Sequence, residues 1–148
     1  MEAVIFCGVQ GAGKSTFYKD RFFRTHVRVS LDLLRTRRRE KIFLTACLES
    51  QQRFVVDNTN PTRADRITYI QAAKEKKFKV IGYYFASCAD AALSRNASRT
   101  ENERVPDVAI KGTLAKLERP SFSEGFDELY HVSIKQEAFI VSRWIDDI

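Results

Sequence analysis

The chain has 148 residues, 44% hydrophobic and 30% charged, which suits one globular domain with a real core. No apolar run approaches the roughly 20 residues that cross a bilayer, so no membrane partner is expected. The net charge of +6, from 25 Lys and Arg against 19 Asp and Glu, favours a polyanionic partner, although many soluble proteins are mildly basic.

Glu2–Cys7 ("EAVIFC") is a short apolar run before glycines and predicts a buried parallel strand. It carries an acid and runs straight into a glycine-rich turn, so no cleaved leader is expected. Lys14–Arg24 reads as a helix, and Val27–Ser30 ("VRVS") as a second strand. The stretch from Leu31 to Ser50 has helical spacing, with Leu34, Ile42, Phe43, Ala46 and Cys47 as inward positions. "RFVVDNTN" predicts another strand ending in polar residues. Asn60-Pro61 then reads as a cap and a first-turn proline, opening a helix to Lys76 with Ile67, Ile70 and Ala73 or Lys74 along one stripe. "FKVIGYYFA" is a long strand, "CADAALSRNASR" and "PDVAIKGTLAKLE" are helices, and "ELYHVSI" is a late strand. "AFIVSRWI" fits either a strand or a terminal helix.

This alternation predicts an α/β fold, a central mostly parallel sheet with helices on both faces, formed by one domain over residues 1–148. Cys7, Cys47 and Cys88 have no CxxC spacing and leave an odd count. They read as reduced thiols of a cytoplasmic protein, with Cys7 as apolar filler.

In such sheets ligands sit beyond the carboxyl ends of the strands, so polar residues that follow strands are the site candidates. Gly8, Gly11, Gly13, Lys14 and Ser15 complete the phosphate-binding pattern G-x-x-x-x-G-K-[ST], with Ala12 inside it and Thr16 after it. Backbone N–H groups and the helix N-terminus would cradle the phosphates of an NTP, ATP or GTP. Lys14 would reach the β and γ phosphates, and the Ser15 hydroxyl would ligate Mg²⁺. Asp32, after the second strand, suits a base on an acceptor hydroxyl, or it is only a cap residue. Arg35 lies three residues on and would hold an anionic group of the acceptor if both share a helical face. Asp57 ends the third strand as a carboxylate that steadies Mg²⁺ directly or through water. Asn58, Thr59 and Asn60 read as turn and cap residues, and Arg66 as a helix-surface charge. Arg95 and Arg99, at i and i+4, could close over the phosphates, Arg99 first, or lie on a solvated helix edge. "RTRRREK", from Arg35 to Lys41, holds five cations and one acid, as either a solvated face or a phosphate-binding surface.

Together these segments resemble the P-loop kinase domain of 5′-hydroxyl polynucleotide kinases, enzymes of nucleic-acid end repair. "GVQGAGKSTF" is generic. "SLDLLR", "VVDNTNPTRADRITYIQAAKEKKFKVIGYYF", "RNASR" with "VPD", and "ERPSFSEGFDELYHV" are similar to that family's segments, so the likeness spans nearly the whole chain. It implies transfer of an NTP γ-phosphate to the 5′-OH of DNA or RNA with Mg²⁺. It makes Asp32 the general base, Arg35 a contact to the acceptor's 3′-side phosphate, Asp57 part of the acceptor and metal neighbourhood, and Arg95 and Arg99 lid residues. It also implies an end-processing phosphatase or ligase as partner domain. Leu31 stands where such motifs commonly carry an Arg. The rival readings are a P-loop kinase of a small metabolite, nucleotide sugar or antibiotic, a nucleic-acid-binding NTPase, and a non-enzymatic binding module.

Overall fold

The computed structural model describes residues 1–86 and 89–145. The helix expected around Cys88 keeps its place from Ala89, but Cys88 itself lies outside the described residues.

The chain runs β1 (Glu2–Cys7), α1 (Lys14–Arg21), β2 (Val27–Val29), α2 (Leu31–Leu34), α3 (Arg37–Glu49), β3 (Phe54–Val56), α4 (Arg63–Glu75), β4 (Lys79–Phe85), α5 (Ala89–Ala97), α6 (Asp107–Lys116), a 3₁₀ turn at Phe122–Glu124, β5 (Glu128–Lys135) and β6 (Ala138–Arg143). The strands form a six-stranded sheet in the order β2-β3-β1-β4-β5-β6. All neighbours pair in parallel except β5 and β6. The expected mostly parallel α/β sheet is present, and "AFIVSR" is its antiparallel edge strand rather than a helix.

Strand alternation divides the core into two layers. Ala3, Ile5, Phe54, Val56 and Val80 face one way and bury Leu44, Cys47 and Leu48 of α3 with Tyr69, Ile70 and Ala73 of α4. Val4, Phe6, Val55, Ile81 and Phe85 face the other way and bury Phe17 of α1, Ala92 of α5 and Ile110 of α6. Cys7 and Cys47 are both buried free thiols, and burial pushes the Cys7 thiol up to about 11.

Two helix boundaries differ from the sequence reading. The stretch from Leu31 is not one helix: Arg35 has φ +72° and ends α2, and Thr36 starts α3 by accepting a hydrogen bond from the Arg39 N–H. That break resets the helical phase. Ile42 and Ala46, expected inward, are therefore exposed, while Leu44 and Leu48 take the core face. The fourth helix is capped by Thr62, not Asn60: Thr62 and Asp65 exchange side chain and backbone hydrogen bonds in a capping box. Ile67, expected along the inward stripe with Ile70 and Ala73, is instead exposed. Among the described residues no helix is long and apolar enough to cross a membrane.

Candidate active site

The loops after β1, β3 and β2, three successive strands of the sheet, lie together at its carboxyl edge, where a doubly wound sheet opens a crevice. The β1 loop is the glycine-rich turn. Gly11 and Gly13 take φ +79° and +95°, conformations open to glycine, and Gly13 is the N-cap of α1. A Cβ on Gly8 would lie 2.8 Å from the Phe85 Cβ, so that glycine permits close approach of β4. Ala12 is buried and its N–H donates to the Val9 carbonyl. Thr16 is exposed on the first turn of α1.

Lys14 is buried, and its ammonium donates to the carbonyls of Gly8 (2.8 Å) and Val9 (2.7 Å). Burial lowers its pKa to about 8, against the pull of Asp57; the Arg99 guanidinium lowers it further. The Ser15 hydroxyl donates to Asp57 Oδ2 at 2.9 Å. Asp57 is 2% exposed, and the same Oδ2 accepts from Arg28 Nε at 2.8 Å, while Arg28 Nη2 donates to Ser15 Oγ at 3.1 Å. The sequence reading missed Arg28. It lies on β2 one residue from the strand's end, and a charge within a short apolar strand was the available signal.

Among the described residues no group gathers three or more His, Cys, Asp or Glu as a metal cluster. Ser15 and Asp57 do fit Mg²⁺, a hard ion that takes one or two protein oxygens and fills its shell with phosphate oxygens and water.

The neighbouring loop is "DNTN", each residue of which ties a different part of the chain. Asp57 bonds α1 and β2 as above. Asn58 Oδ1 accepts the Leu31 N–H at 2.9 Å, holding the turn that carries Asp32, and its amide donates to Glu40 Oε2 at 2.8 Å. The Thr59 carbonyl accepts the Gly8 N–H at 2.9 Å. Asn60, at φ +43°, donates its side-chain amide to the Phe6 carbonyl at 2.8 Å. Asn60 is thus an internal strut of β1 rather than a helix cap. Asp32 is exposed on α2, and its N–H donates to Ser30 Oγ. Arg35 does not share a helical face with it, because the backbone leaves the helix there.

Two buried charges support these loops. Glu40, 5% exposed, accepts from Tyr69 OH (2.8 Å), Arg37 Nη1 (3.1 Å) and Asn58. Burial and the hydrogen bond to Glu40 push Tyr69 up to about 12. Arg66, expected on the surface, is 0% exposed. It makes a two-pronged bond to Glu124 (2.8 and 3.1 Å) and also donates to the Asn60 carbonyl and Cys7 Sγ.

Above the loop, Arg95 Nη1 points to the Gly11 carbonyl at 3.5 Å. Arg99 lies beyond the end of α5, so the two arginines do not share a helix face as their spacing predicts. Among the described residues the buried Arg99 Nη1 has no hydrogen-bond partner, which leaves a donor free to meet a ligand near Lys14.

No family model matches the chain. It is 26% identical over 138 residues to a bifunctional polynucleotide phosphatase/kinase of Schizosaccharomyces pombe, covering 90% of this chain and 34% of that protein. A protein of Acanthamoeba polyphaga mimivirus, provisionally given the same name, is 24% identical over 140 residues, covering 89% and 33%. The chain resembles a polynucleotide kinase P-loop domain. It spans about a third of the length of these curated relatives. Among solved structures, a gluconokinase from Sinorhizobium meliloti 1021 superposes with TM-score 0.63 at 18% identity, covering 91% of this chain and 83% of that one. Kti12 of Chaetomium thermophilum, solved with ADP-AlF3, also gives 0.63, at 14% identity and 88% coverage of each chain. The fold is that of the P-loop kinases.

Proposed function

We propose that the chain transfers the γ-phosphate of an NTP to the 5′-OH end of DNA or RNA. The observation that carries this reading is the charge beside Asp32. Of the seven residues from Arg35 to Lys41, the one acid, Glu40, is turned inward, and the five cations are exposed. A surface cleared of negative charge beside a candidate base suits a polyanionic acceptor. The curated relatives named as polynucleotide phosphatase/kinases support the same acceptor, and their greater length supports a phosphatase as partner domain.

In this mechanism Asp32 accepts the proton of the 5′-hydroxyl as its oxygen attacks the γ-phosphorus. The bond to the bridging β-phosphate oxygen breaks on the opposite side. Lys14, Arg99 and Arg95 hold the charge that spreads over the transferring group, and the P-loop N–H groups hold the donor phosphates. Arg35 binds an acceptor phosphate. Ser15 and Asp57 hold Mg²⁺, which supplies charge neutralisation at the donor phosphates when bound.

The test is a matrix of labelled NTPs against DNA and RNA oligonucleotides bearing 5′-OH or 5′-phosphate ends. Label should pass to 5′-OH ends and not to 5′-phosphorylated ones. Donor consumption without labelled oligonucleotide would refute the reading and favour hydrolysis or a small acceptor.

A further inference from the structure

We propose that Arg28 is the resident counter-cation of the Ser15–Asp57 pair and competes with divalent metal for it. The inference rests on reading that pair as the metal position. A carboxylate as buried as Asp57 is costly without a positive partner, so in the metal-free protein something must neutralise it. Arg28 does so with a fork: Nε on Asp57 Oδ2 and Nη2 on Ser15 Oγ, the two oxygens assigned to the metal. A metal at both oxygens, at the roughly 2 Å that Mg²⁺ requires, would meet the guanidinium on the same atoms.

Departure is open to Arg28. Among the described residues β2 is an outermost strand of the sheet and pairs only with β3, and the Arg28 side chain is 21% exposed. Its long stem can carry the charge outward while the strand stays paired. The charge count gives the consequence. With Arg28 in place a divalent ion meets a neutral Arg28–Asp57 pair beside the Lys14 charge, and with Arg28 withdrawn it meets one more negative charge. Metal should therefore bind poorly to the nucleotide-free protein and enter with the donor, whose phosphates supply the missing negative charge.

The probe is Mn²⁺, with free ion counted by electron paramagnetic resonance in nucleotide-free protein and at saturating ADP. Arg28→Ala should bind Mn²⁺ about tenfold more tightly than wild type without nucleotide, with a smaller difference when ADP is present. Adding Asp57→Asn to Arg28→Ala should abolish the gain. In thermal unfolding Arg28→Ala should melt below wild type with chelator and gain more from Mn²⁺. Arg28→Gln, which keeps a side-chain donor without the charge, repeats both measurements should Arg28→Ala fold poorly. Equal Mn²⁺ affinity of wild type and both variants, with Asp57→Asn still weakening it, overturns the role of Arg28 alone. Affinity indifferent to Asp57→Asn in every background overturns the metal position itself.

Discussion

Lys14 should make nucleotide binding fall as pH rises. Its ammonium is sealed among the Gly8 and Val9 carbonyls, and burial lowers its pKa to about 8. A lowered lysine pKa means the free protein carries the charge below about pH 8 and loses it above. Phosphate binding requires the charged form, so the complex takes up a proton wherever free Lys14 is neutral. At about pH 9 the free protein is charged in roughly one molecule in eleven, so ADP should bind about tenfold more weakly than at about pH 7. At about pH 8 binding should take up about half a proton. Phosphate titration contributes little in this interval, since those groups ionise near pH 6. Isothermal calorimetry in buffers of different ionisation enthalpy measures both affinity and proton uptake. Lys14→Met should bind weakly with no slope. Removing the nearby positive charge with Arg99→Ala should move the wild-type midpoint upward. A flat affinity between about pH 7 and about pH 9 in the wild type, or no proton uptake near pH 8, would refute the link between buried lysine and donor phosphate.

Asp32→Ala should abolish transfer while leaving ADP affinity within about twofold, measured by end-label transfer and calorimetry; lost ADP binding would rule out an acceptor base. Arg35→Ala should raise the oligonucleotide KM more than the NTP KM, and steady-state kinetics in both substrates checks this. Replacing Arg38 and Arg39 by alanine should weaken oligonucleotide binding and reduce its salt slope by about 1–2, read from affinity against ionic strength. Glu124→Ala, which leaves the guanidinium of Arg66 buried without its carboxylate, should cost about 3–5 kcal/mol in urea unfolding.

Much of the fold was legible because β1 and β4 are apolar runs of strand length, β5 is rich in β-branched and aromatic residues, and the glycine pattern sits between a strand and a helix. Errors gathered where a local signal competed with a tertiary one. Asn60-Pro61 looked like a helix start because proline favours the first turn, yet the Thr62–Asp65 capping box lay two residues further on. Arg66 read as surface because it is charged, but it is spaced with Tyr69, Ile70 and Ala73 as a core position, and periodicity was the better guide. Glu40 has the same relation to Leu44, Cys47 and Leu48. Glu124 is far from Arg66 in sequence, and of the partners of Glu40 only Arg37 is near while Tyr69 and Asn58 are distant, so the full pairing that makes such burial tolerable could not be read from the chain alone.

The "DNTN" segment differs from the P-loop in where its contacts go. A glycine-rich turn needs only its own backbone and the helix after it, which is why it recurs with many acceptors. Each residue of "DNTN" instead answers a partner elsewhere: Asp57 the Ser15 hydroxyl and Arg28, Asn58 the Leu31 N–H and Glu40, Thr59 the Gly8 N–H, Asn60 the Phe6 carbonyl. Asp57 and the two residues after Asn58 fix the donor loop, whereas Asn58 alone reaches the turn of Asp32. On the proposed function, donor and acceptor geometry thus hang on one four-residue stretch but on different groups within it. On that same function, a change at one member should disturb one substrate's site and spare the other's; Asp57, Asn58 and Asn60 act through side chains, whereas Thr59 acts through its backbone carbonyl, which other residue types also supply.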